Sequence, residues 1–163
     1  MLDLQKIAKE CMSELDAIGI RYGNIVRFEI NTRAKKRWGQ CRVVPGGYAI
    51  NISERLLRDE SSVRGLKETV FHEIAHTCEG CMNHGAEWKR IVSMINRAYG
   101  YQIKRTGSSE EHQVENLPDE AYRHKVVCCG CGRAVYRMRE CGLTRSPERW
   151  RCGKCGGTFK RIY

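Results

Sequence analysis

Apolar positions along the chain follow two periods. Leu4, Ile7, Ala8, Cys11, Met12, Leu15 and Ile18 recur at helical spacing and predict an amphipathic first helix, punctuated by Gly19 and Gly23. Val26, Phe28 and Ile30 alternate, so residues 25–31 read as a strand. Residues 42–44 and 48–52, joined by Pro45-Gly46-Gly47, read as a hairpin. Ser53 is placed to cap a short helix over 54–58. Val63, Leu66, Val70, Ile74 and Ala75 then predict a helix over 62–78, with Ser61 or Ser62 at its start. Trp88, Ile91, Val92, Ile95 and Ala98 predict another that ends at Gly100. The periodicity stops between 104 and 119, where Thr106-Gly107-Ser108-Ser109-Glu110-Glu111 is polar. Strand character returns at 135–138 and 158–160. The expected organisation is an α+β domain over 1–103, a linker over 104–121 and a small β module over 122–163.

Composition narrows the class. The chain has 163 residues, 41% of them hydrophobic, enough for one modest core and an appended module. It contains no apolar run of membrane-spanning length and its first residues do not resemble a signal peptide. These features set the expectation of a cytoplasmic protein with no membrane partner. Ten cysteines in such a chain favour metal binding over disulfides. The net charge of +10 is concentrated: residues 122–163 hold 11 of the 29 Lys and Arg but two of the 19 acidic residues. A local block of this kind points to a polyanionic partner. The earlier basic stretch Arg33-Ala34-Lys35-Lys36-Arg37 reads as a solvated loop.

Chemistry enters at His72-Glu73-Ile74-Ala75-His76. On a helix, His72 and His76 lie one turn apart on one face and can hold a single zinc ion, with Glu73 as general base. The third ligand has several candidates. His84 follows His76 by eight residues and precedes Gly85; Glu87, Cys78 and Cys81 are also near. His84 is favoured, because imidazole suits hydrolytic zinc. Two thiolates with two histidines would close the coordination shell. The metzincin pattern is excluded, since the positions it needs for Gly and His hold Glu79 and Met82.

A second constellation follows. Cys128 and Cys131, then Cys152 and Cys155, form two C-x-x-C pairs twenty residues apart, the pattern of a closed structural zinc site. Cys129 and Cys141 are alternative ligands. A module of this size needs the metal to hold its fold. Arg133, Arg137, Arg139, Arg149, Arg151, Lys154 and Lys160, with Trp150 among them, are candidate nucleic-acid contacts, the cations for phosphates and the indole for an unpaired base.

In order along the chain, Arg37-Trp38-Gly39-Gln40-Cys41-Arg42, Tyr48-Ala49-Ile50-Asn51-Ile52, His72-Glu73-Ile74-Ala75-His76, His84-Gly85-Ala86-Glu87-Trp88-Lys89 and the four-cysteine module resemble segments of the SprT-like family, relatives of the protease Spartan. The resemblance implies an α+β, zincin-like metallopeptidase domain, its active-site helix packed on a small antiparallel sheet, followed by a β zinc ribbon. It implies His72, His76 and His84 as ligands of a catalytic zinc and Glu73 as general base. It also implies proteolysis of DNA-associated or DNA-crosslinked proteins. The Cys78-Glu79-Gly80-Cys81 pair departs from the family pattern. The expected partners are DNA, including single strands, and protein substrates bound to it, with the chain a monomer. Strand 48–52 is a candidate edge for an extended substrate. The competing reading is a non-catalytic nucleic-acid-binding protein with two structural zinc ions.

Overall fold

The computed structural model describes residues 1–34, 36–109, 111, 112, 114 and 121–163. The chain divides into two units, Met1–Asn116 and Leu117–Tyr163. Parts of the expected linker, at 110, 113 and 115–120, lie outside the described residues, as does Lys35 of the basic stretch.

In the first unit, α1 (Leu4–Ala17) is capped by the Asp3 carboxylate, which accepts from the Gln5 and Lys6 N–H groups. Its stripe of Leu4, Ile7, Cys11 and Leu15 is buried, as the spacing predicts. Strands β1 (Ile25–Asn31), β2 (Gly39–Val44) and β3 (Gly47–Ser53) form one sheet in the order β1-β3-β2. The sheet is mixed, which corrects the antiparallel sheet expected from sequence: β3 pairs parallel with β1 and antiparallel with β2. The tight Pro45-Gly46 turn reverses the chain between β2 and β3, and β3 then inserts beside β1. The insertion also corrects the edge assignment. Residues 48–52 lie at the centre of the sheet, and β2 is an edge strand.

Ser53 caps a 3₁₀ turn over Glu54–Leu57 by accepting from the Arg55 N–H, a shorter version of the expected helix. Helix α2 (Val63–Ala75) follows. Ser62 does not cap it. The Ser62 hydroxyl donates to the carbonyls of Leu56 and Asp59, tying the helix start to the preceding turn. His76 sits one residue past the helix and keeps right-handed helical backbone angles, so its geometry with His72 survives. Helix α3 (Ala86–Tyr99) ends at Gly100 in the left-handed region, φ 70°, where glycine avoids the Cβ clash.

The core is formed by α1, β3, α2 and α3. Ile50, Ile52, Leu56, Leu57, Leu66, Val70, Phe71, Ile74 and Ile95 are all fully buried. After α3 the chain crosses back over α2 as a strap, described over residues 101–109 and at Glu111 and His112. Ile103 is buried, and the Trp38 indole donates to the Gly107 carbonyl at 3.0 Å. The polar sequence of this segment conceals that it packs.

The second unit holds β4 (His124–Cys128), β5 (Ala134–Arg137) and β6 (Phe159–Arg161) in the order β5-β4-β6, both pairings antiparallel. A single turn of helix, α4 (Gly142–Arg145), lies between β5 and β6. Its core consists of Val126, Cys128, Cys152 and Phe159, with Val135 and Leu143 against them. Among the described residues, no helix is long and apolar enough to cross a membrane.

Candidate metal centre

Helix α2 supplies His72 on its last turn and His76 just beyond it. His84 arrives from the loop between α2 and α3. Their rings converge: His72 Nε2 lies 3.3 Å from His76 Nε2 and 3.0 Å from His84 Nε2. The other nitrogens of the first two rings have backbone partners. His72 Nδ1 donates to the Lys104 carbonyl at 2.9 Å and His76 Nδ1 to the Cys81 carbonyl at 2.8 Å. A carbonyl only accepts, so the proton of each of these rings is on Nδ1 and its Nε2 presents a lone pair. Lone pairs directed together at this distance repel unless a cation lies among them. Zinc–imidazole bonds of about 2.0–2.1 Å at tetrahedral angles place ligand nitrogens about 3.3 Å apart, so the three histidines fit zinc. Burial pushes the His72 pKa down to about 4, aided by His76, and burial followed by His76 lowers that of His84. Both shifts favour the neutral, ligating imidazole.

Trp88 lies against all three rings. Its ring centroid is 4.8 Å from His72, 5.7 Å from His76 and 4.6 Å from His84, and the indole is buried. Of the alternative ligands, Cys78, Cys81 and Glu87 stand outside the converging group, which contains only the three histidines. Cys81 acts instead through its carbonyl. Both thiols are buried, and burial raises their pKa, that of Cys78 to about 11.

Glu73 is buried, with 6% of its surface exposed. Burial lifts its pKa to about 7, while the Cys41 N–H and Arg37 pull it down. Glycine at position 39 lets the β2 backbone approach: a Cβ there would lie 2.6 Å from Glu73 Oε1. Glu73 and His72 line a cleft of about 600 Å³, whose walls are residues 36–39 and the strap, with α2 as floor.

In the second unit, the thiols of Cys128, Cys131, Cys152 and Cys155 all lie within 4.8 Å of one another. Cys128 and Cys155 are 3.4 Å apart, Cys131 and Cys152 3.7 Å. Backbone N–H groups stabilise the thiolates: those of Lys154 and Cys155 bring the Cys152 pKa to about 6, and that of Cys131 lowers Cys128. Cys129 and Cys141 stand outside the cluster. The donor set fits zinc with no open position. Among the candidate nucleic-acid contacts, Arg133, Arg137, Arg139, Arg149, Arg151, Lys154, Lys160 and Trp150 are all exposed, whereas Phe159 belongs to the small core.

A model of the SprT-like family matches residues 8–107, a span that contains the three histidines, Glu73 and the first part of the strap. The chain belongs to the SprT-like family. Protein SprT-like of Oceanobacillus iheyensis is 26% identical over 156 residues, covering 94% of this chain and 95% of that protein. Protein SprT of Pseudomonas fluorescens is 30% identical over 116 residues, covering 58% of this chain and 69% of its own length.

Three contributors to the SprT-like site are invisible to sequence reasoning. The Lys104 and Cys81 carbonyls and the Cys41 N–H are backbone groups, which leave no trace in residue identity. Gly39 is the one legible signal, a glycine at a position that needs room and has no unusual backbone angle.

Proposed function

We propose that the chain is a zinc-dependent endopeptidase of zincin type that acts on DNA-associated or DNA-crosslinked proteins, its basic ribbon contacting DNA. The observation that carries the reading is the convergence of three imidazoles at the end of a cleft that also holds a buried carboxylate. Zinc bound by His72, His76 and His84 would supply a Lewis acid that lowers the pKa of water and polarises a carbonyl. The Lys104 and Cys81 carbonyls hold two of the imidazoles in register for it. Glu73, with its pKa near 7, takes the proton of the attacking water and returns it to the leaving amine. The Cys41 N–H holds the Glu73 carboxylate. Because Cys41 turns this N–H to Glu73, the free edge of β2 faces the site, and it can pair with an extended substrate backbone. The four-cysteine module is the structural zinc ribbon, and its exposed cations and Trp150 suit a nucleic-acid strand.

The test is cleavage of a DNA-bound protein by the zinc-loaded chain, with and without DNA. Glu73→Gln should keep both the histidine-bound and the cysteine-bound zinc and lose turnover. Undiminished cleavage by this variant refutes the mechanism. Cleavage independent of DNA, with no binding to single or double strands at low salt, refutes the DNA-directed part.

A further inference from the structure

The cleft beside His72 and Glu73 runs along α2 towards its N-terminus, about 12 Å from His72 back to Arg64 at 1.5 Å per residue. Lys36, Arg37, Arg64, Lys104 and Arg105 line it, opposed by Glu68, Glu73 and Glu111. Arg64 and Lys104 are committed. Arg64 donates to Glu68 at 3.2 Å and to the Gly100 carbonyl, and lies over the Tyr101 ring. Lys104 pairs with Glu111 at 2.6 Å. Arg37 donates to the neutral Gln40 amide, and neither Arg37 nor Arg105 has a carboxylate ion-pair partner among the described residues. Both line the cleft together with His72 and Glu73. Two guanidinium groups that form no ion pair among the described residues therefore line the cleft that holds His72 and Glu73.

We propose that Arg37 and Arg105 form a subsite for acidic side chains of an extended substrate segment lying in this cleft. The proposal rests on the endopeptidase reading above. A planar guanidinium fork matches a carboxylate and repels a lysine. The neighbouring edge of β2 supplies the backbone pairing that holds such a segment extended. A nucleic-acid strand offers the same negative charge, but unpaired bases also need an aromatic platform. The cleft's indole is engaged internally. Trp38 has Arg55 over its ring at 4.7 Å, His112 against it at 5.0 Å and its N–H on the Gly107 carbonyl. These contacts favour peptide carboxylates as the occupants.

The test uses the zinc-loaded full chain carrying Glu73→Gln and labelled peptides of one length with Glu, Gln or Lys on both sides of the central bond. Binding followed by anisotropy should rank Glu above Gln above Lys. The Glu–Lys difference should be about tenfold at low salt, two guanidinium contacts at a few-fold each, and should shrink as salt rises. Arg37→Gln and Arg105→Gln should each remove part of the preference, Arg105→Glu should cancel it, and Arg37→Glu with Arg105→Glu should invert it. In the wild type, the same ranking should appear in KM with kcat little changed. Equal affinity for the three peptides, or a preference that survives loss of both arginines, overturns the subsite. An oligonucleotide whose binding requires Arg37 and Arg105, in the absence of any peptide preference, overturns it in favour of nucleic acid. A binding preference without cleavage by the wild type, with or without DNA, supports the subsite and sinks the endopeptidase.

Discussion

Gly39→Ala isolates the role of Glu73 without touching a metal ligand. The added Cβ would lie 2.6 Å from Glu73 Oε1, 2.7 Å from Cγ and 2.9 Å from Cδ. Ordinary contact requires about 3.5 Å, so the carboxyl group has to retreat by about 1 Å. Gly39 opens a paired strand, and its partner Ile52 is fixed in the core, so the side chain moves and the backbone stays. A retreat of this size takes the carboxylate away from the Cys41 N–H and out of line with the water it deprotonates. A misplacement of about 1 Å costs on the order of 10²-fold in rate. The assay is kcat on a DNA-bound substrate, with zinc content by atomic emission and thermal unfolding measured in parallel. Both zinc sites should remain filled, and stability should fall by no more than about 1–3 kcal/mol, the cost of a buried carboxylate that loses one partner. A variant with wild-type kcat, or one that loses zinc in proportion to activity, refutes the argument.

Other perturbations separate the remaining parts. A Cβ at Gly65 would lie 2.8 Å from His112 Cα, a backbone atom. Gly65→Ala should therefore displace the strap, destabilise by about 1–3 kcal/mol and weaken zinc at the histidine site about tenfold through the Lys104 carbonyl; denaturant titration and competition with a chromogenic chelator measure the two effects. Phe71 is fully buried against Tyr101, and Phe71→Ala should cost about 3–5 kcal/mol in chemical denaturation. Chelation should remove the NMR dispersion of the second unit, whose small core around Val126 and Phe159 cannot hold it. Cys152→Ser should do the same at saturating zinc, whereas Cys129→Ser should leave the spectrum intact.

Sequence pattern reaches far into this molecule, but unevenly. Helices α1 and α3 are legible because each buries one stripe against a single core, and α2 because its apolar residues recur at helical spacing although it is buried on nearly every side. The His72–His76 pair and the four ribbon cysteines are legible because ligand spacing is constrained by metal geometry. The sheet is only half legible. Alternation identifies a strand but not its neighbours, so nothing in residues 48–52 announces a central position between β1 and β2. The strap escapes for a different reason. Its anchors include Tyr101, Ile103 and His112, contacts too sparse to generate a period, and its attachments to Trp38 and His72 run through carbonyls. Ser62 shows the same limit, since a good capping residue can direct its hydroxyl backwards. The choice between His84 and the Cys78/Cys81 pair needs coordinates, because either lies within reach along the chain.

The carbonyl at position 104 has an evolutionary corollary. The group that orients His72 belongs to the main chain, while the Lys104 side chain is exposed. Replacement of that side chain preserves the acceptor, so point changes at 104 should be tolerated by the metal centre. Loss or gain of one residue between Gly100 and Gly107 would bring a different peptide unit opposite the imidazole. Position 104 should accordingly drift in identity, while the segment around it hardly changes in length.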